Sequence, residues 1–64
     1  MYSAMEYAQR AFYAAHYARL EKAGGADPAM MIESAHYYLN HLVRMPHAGY
    51  ERLIADIERM LEEV

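Results

Sequence analysis

Apolar and polar residues recur along most of this chain with the period of an α-helix. Gly24 and Gly25 interrupt the first periodic run, and Asp27 then supplies an N-cap before Pro28, which suits the first position of a helix. Pro46 ends the second run, because proline disfavours helical geometry in the residue before it. The pattern therefore predicts three helices, at about residues 2–23, 28–44 and 47–63.

The second and third predicted helices each have one apolar and one polar face. In the third, Leu53, Ile57 and Leu61 share one arc at about 100° per residue, and charged residues cover the rest of the helix. No segment alternates with period two, and the chain has no threonine, so strands are not expected. The sequence predicts an all-α fold with a single helical domain over residues 1–64.

The first predicted helix is apolar or aromatic on nearly every side. Alanines recur along it at spacings of four and three, which is the spacing of a heptad seam and lets two helix backbones approach closely. We expect this seam and the large side chains at its edges to form an interface with a second chain. Alternatively, the alanines mark only the best helix former. The candidate interface residues are Ala4, Met5, Tyr7, Ala8, Ala11, Phe12, Ala15, Tyr17 and Ala18.

Length and composition favour association. A chain of 64 residues buries only a marginal core, and the absence of cysteine excludes disulfides as a supplement. We therefore expect a homo-oligomer, a symmetric helical bundle, with a dimer favoured because closed two-fold pairs are the commonest assemblies. The net charge of −3 argues against nucleic acid as a partner. No apolar run approaches the ~18 residues of a membrane span, and a cytoplasmic location is expected.

One candidate metal site lies in the segment from Glu33 to His41. Glu33 and His36 have the Glu-x-x-His spacing that carboxylate-bridged metal proteins use within helical bundles. In a hairpin closed at Gly24 and Gly25, His16 would lie level with them. Two histidines and a carboxylate suit Zn²⁺ or non-haem Fe²⁺. The competing interpretation is a solvated helix face, in which case no cofactor is expected.

These observations favour a self-associating helical module for oligomerisation or protein interaction, without catalysis. Ser34 and His36 face different directions on their helix, so no catalytic triad is expected and no catalytic residue is assigned. The first alternative is a metal-binding helical protein that uses His16, Glu33 and His36. The second is a small inhibitor or adaptor that binds a heterologous protein through its tyrosine-rich first helix. The tidy connection at residues 24–28 is also typical of an engineered scaffold.

Overall fold

The computed structural model describes residues 1–64, and three α-helices form most of it. Helix α1 spans Ala4–Ala23, α2 spans Ala29–Val43 and α3 spans Glu51–Glu62. The predicted all-α fold of three helices is confirmed. No helix is both long enough and apolar enough to pass through a lipid bilayer.

Helix α1 begins with a reciprocal pair of hydrogen bonds. The Glu6 backbone N–H donates to the Ser3 hydroxyl at 3.2 Å, and the Ser3 backbone N–H donates to the Glu6 carboxylate at 3.0 Å. This capping box satisfies two backbone donors that have no partner within the helix. The first helical residue is therefore Ala4, two positions later than the periodicity predicts.

The connection from α1 to α2 closes the helix end with backbone hydrogen bonds. Gly25 has φ +85, and the Ala26 N–H donates to the Glu21 carbonyl at 2.8 Å, as in a Schellman motif. The Asp27 side chain then accepts the Ala29 N–H at 3.0 Å. Pro28 lies just before the first helical residue of α2. The glycine stop agrees with the prediction. Asp27 accepts the first N–H of α2, but Pro28 occupies the N-cap position that was predicted for Asp27, so the start of α2 differs by one residue.

Helix α3 begins at Glu51, four residues later than the prediction of residue 47. Gly49 has φ +93, which lies outside the right-handed helical region and breaks any helix through it. The Tyr50 N–H donates to the His47 carbonyl at 2.9 Å, so residues 47–50 form a turn. The apolar periodicity continues through this turn, which is why it predicts a longer helix.

Helix α1 lies between the other two, and α2 and α3 touch each other only weakly. Helix α3 runs in the same direction as α1, since Leu53 lies beside Phe12 near the middle of α1 and Glu63 contacts Arg19 near its end. The Arg19–Glu63 ion pair, at 3.4 Å, is half-exposed and contributes little to stability. The apolar contacts of α1 with its two neighbours therefore hold the fold together.

The alanine seam lies inside this chain. Ala8, Ala11, Ala15 and Ala18 are at most 1% exposed, and Ala4 is partly buried. Small side chains let helix backbones approach closely, and here the approaching helices are α2 and α3. The expectation that these alanines contact a second chain is therefore corrected, because a second copy cannot reach them while the helices remain packed.

A first prediction concerns the close packing at Ala11, which is fully buried. We expect Ala11→Leu to destabilise the chain by about 1–3 kcal/mol, because a larger side chain forces the helices apart. Ala55→Leu is the matched control, since Ala55 is exposed on α3 and leucine is nearly as good a helix former as alanine. Urea unfolding followed by circular dichroism measures both. If Ala11→Leu and Ala55→Leu lower the unfolding free energy equally, Ala11 does not limit how closely the helices approach each other.

A second prediction concerns pH. Hydrogen bonds from the Ser3 backbone N–H and hydroxyl hold the pKa of Glu6 below its ordinary value of 4.5. The pKa of Glu6 is lower in the folded chain than in the unfolded chain. The ionised Glu6 side chain therefore stabilises the folded state fully above about pH 4.5, and this contribution is lost as pH falls through the folded pKa. We expect Glu6→Gln, which retains a hydrogen-bond acceptor but does not titrate, to melt below the unmodified chain at neutral pH. The two melting temperatures should converge in acid, and a constant difference would contradict this.

Candidate interaction surface

The three residues predicted to bind metal, His16, Glu33 and His36, are all exposed. His16 lies about 160° around α1 from the buried Ala18, so its ring faces away from the core. Its ring is parallel to that of Phe12, with centroids 6.4 Å apart. No three side chains of His, Asp or Glu lie close enough together to hold a metal ion. The structure therefore does not bring the predicted ligands together within one chain.

Of the large side chains predicted at the edges of the alanine seam, three are exposed. Met5 and Tyr17 are more than half exposed, Phe12 is about one-third exposed at 36%, and Tyr7 is buried. Tyr7 contributes to the core, whereas Met5 and Phe12 belong to a second row of side chains on the opposite side of α1. The predicted edge residues thus divide between the core and an outward surface.

This outward surface, here called the outer face of α1, is an exposed row that runs the length of the helix. At about 100° per residue, its members lie within roughly 50° of one line along the helix. None of them is an aspartate, glutamate, lysine or arginine. A contiguous exposed apolar row differs from scattered apolar residues, which are normal on protein surfaces. The outer face consists of Met5, Gln9, Phe12, Tyr13, His16 and Leu20.

The outer face widens onto α3 near its middle. Gln9, Phe12 and Tyr13 line a shallow depression of about 220 Å³ together with Leu53 of α3 and the edge of Ala8. The depression is open to solvent and almost entirely apolar. Leu53 is partly buried, so its exposed part continues the apolar surface beyond α1. The candidate surface therefore includes both the outer face of α1 and the adjoining edge of α3.

A separate aromatic cluster joins the start of α1 to the end of α2. Tyr7 stacks on His41 with ring centroids 5.1 Å apart, and Tyr37 meets the edge of His41 at 4.7 Å. Tyr2 contacts Tyr7 edge-to-face at 5.5 Å. Such pairs stabilise a structure beyond the area that they bury. Tyr2 and Tyr7 therefore contribute to the packing of α1 on α2, whereas the ring contacts of Tyr37 are with residues of its own helix.

Sequence reasoning did not identify the outer face as a surface. On a helical wheel centred on the alanines, Tyr13 and Leu20 lie outside the alanine arc. They were therefore not recognised as parts of one surface. A signal for this surface was available in the sequence. Successive members of one helical stripe lie four, three, four and four residues apart, and they are Met5, Gln9, Phe12, His16 and Leu20.

Comparisons of the chain with protein families, with curated proteins and with solved structures found no match.

A third prediction concerns metal. We expect Zn²⁺ to leave the melting temperature unchanged, because a ligand stabilises a protein only by binding its folded state, and His16, Glu33 and His36 are not grouped in one chain. Thermal melts with Zn²⁺ and with a chelator, in neutral buffer, measure this. A rise in melting temperature that His36→Ala removes would show that these residues bind metal, with ligands shared between copies.

Proposed function

We propose that this chain is a helical self-association module without catalytic activity, and that two copies meet through the outer face of α1. The observation that carries the proposal is the unpartnered and mostly apolar row on α1, in which only Gln9 and His16 are polar. The row runs from Met5 to Leu20, so it is about 22 Å long. Nothing in the chain covers Met5, Tyr13 or Leu20, each of which is more than half exposed. A second copy would remove these side chains from water.

The small core supports the same proposal. Only 12 of 64 residues are buried, and six of those are alanines, which bury little area each. Apolar area removed from water stabilises a structure by about 25 cal/mol per Å² before the costs of association are subtracted. A chain with so little buried volume would gain proportionally more from covering an exposed row than a larger domain would.

The size of the surface sets the expected affinity. A row about 22 Å long and one helix, roughly 10 Å, wide offers on the order of 220 Å² per copy, or about 440 Å² in a pair. Stable interfaces bury at least about 1,000 Å² in total. The depression beside Leu53 would have to contribute as well, and the pair would be weak. We therefore propose a weak association, the extent of which rises with protein concentration.

A heterologous protein could cover the same face, as the adaptor alternative requires. Aromatic residues and methionine are enriched at interfaces of either kind, so the composition of the face does not separate the two partners. Self-association is preferred because closed two-fold pairs are the commonest assemblies of small soluble proteins. The measured mass of the pure chain distinguishes the alternatives.

A fourth prediction tests the outer face directly. We expect Tyr13→Glu to abolish association, because it places a charge at the centre of an apolar contact where the charge has no partner. Tyr37→Glu is the matched control, since Tyr37 is 58% exposed and Tyr13 is 57% exposed, but Tyr37 lies on α2 away from the outer face. Sedimentation over a micromolar concentration series gives the mass of each variant, and circular dichroism confirms that both are folded.

The proposal fails if the unmodified chain, fully helical, sediments as a single chain throughout that series. It also fails if Tyr13→Glu and Tyr37→Glu weaken association equally, because the contact would then lie elsewhere on the molecule.

A further inference from the structure

The outer face of α1 is symmetric about its own midpoint. The midpoint lies between Phe12 and Tyr13, which are the central two members of the row. Moving outward, Gln9 and His16 are equally far from it, and both are polar. Met5 and Leu20 are equally far again, and both are apolar and exposed. The face therefore has the same order of apolar and polar positions when α1 is read in either direction.

We infer that the self-association is antiparallel, with a two-fold axis passing between Phe12 and Tyr13 of the two copies; this rests on the proposed function. The axis places residues whose numbers add to 25 at the same height. Gln9 then meets His16 of the second copy, and Met5 meets Leu20. At the axis itself, each of Phe12 and Tyr13 lies against the same residue of the second copy, because the two are displaced to opposite sides of the centre line. Every apolar side chain of the row faces an apolar one, and every polar side chain faces a polar one.

The angular positions fit antiparallel packing. At about 100° per residue, Met5 lies roughly 30° to one side of the centre line of the face and Leu20 lies roughly 30° to the other side. Phe12 and Tyr13 are displaced in the same way, by roughly 50° each. Two antiparallel helices related by a two-fold axis bring opposite sides of the line together at each height. The paired side chains therefore lie beside each other rather than head-on.

The polar pair selects the register. Gln9 and His16 can each donate and accept a hydrogen bond, so each satisfies the other across the contact. A shift by one helical turn would place them against apolar side chains and leave their polar groups unpaired, which costs stability. A polar position within an apolar helical seam fixes register in coiled coils for the same reason. The two-fold axis generates two such Gln9–His16 pairs, one on each side of the axis.

Helix α3 supplies the remaining area. A two-fold axis perpendicular to α1 keeps the α3 of both copies on the same side of the pair. The depression at Leu53 adjoins Phe12 and Tyr13, close to the axis. Each α3 thus lies beside the second copy, and the four helices α1 and α3 of both chains form one layered bundle. A parallel pair would place the two α3 helices on opposite sides and would lose this contribution.

Disulfide trapping tests the register, because the chain contains no cysteine of its own. Two single variants, Met5→Cys and Leu20→Cys, are purified reduced and then oxidised separately and as an equal mixture. We expect the mixture to yield a disulfide between the two variants, and we expect little dimer from either variant alone. In the inferred pair two Met5 positions are about 22 Å apart along the axis, whereas a disulfide needs Cα atoms within about 7 Å.

Arg52→Cys provides the control, since Arg52 is exposed on the polar side of α3. Its mixture with Met5→Cys measures disulfides formed by random collision. Mixed Met5–Leu20 disulfide no more abundant than this control, in a chain that still sediments as a dimer, overturns the inferred register. Disulfide-linked dimers of each variant alone indicate a parallel pair and also overturn it, while the proposed function stands. A single-chain mass with no trapped dimer overturns the proposed function itself.

Discussion

The close approach of α2 and α3 to a helix rich in alanine is the constraint on which the rest of the structure depends. Ala11 and Ala15 are fully buried, so any larger side chain there would separate the helices. Because alanine fills so little space, the core has few large members, and Leu42 and Ile57 are the largest that are fully enclosed. Apart from Tyr7, the large apolar residues of α1 lie away from this core and meet solvent.

Local signals at the helix ends were predictable to different degrees. Gly25 and Asp27 could be assigned because a glycine stop and an aspartate near the helix start have strong local causes, and the structure shows both. Ser3 and Glu6 have the spacing of a capping box, although periodicity alone placed the helix start two residues earlier. Gly49 was harder, because a single glycine within an apolar period is tolerated in helices and only its positive φ identifies the turn.

Which residues face each other was less predictable than where the helices lie. The spacing of the alanines correctly indicated close helix contact, but spacing does not say whether the contacting helix belongs to the same chain. His16 lies at a height on the hairpin that the connection predicts, yet a helix turns about 100° per residue, and its side chain faces away from α2. Such questions depend on how α1 is rotated about its axis, which long-range packing decides.

The weak contact between α2 and α3 makes the three helices unequal in their local stability. Helix α3 packs mainly on α1 and is joined to α2 by residues 44–50, so its separation would break few contacts with α2. Its amide protons should therefore exchange with solvent through a partial opening that leaves the hairpin intact. While α3 is detached, Ala8 and Ala15 would be uncovered beside Phe12, and the space could be filled by the α3 of a neighbouring chain.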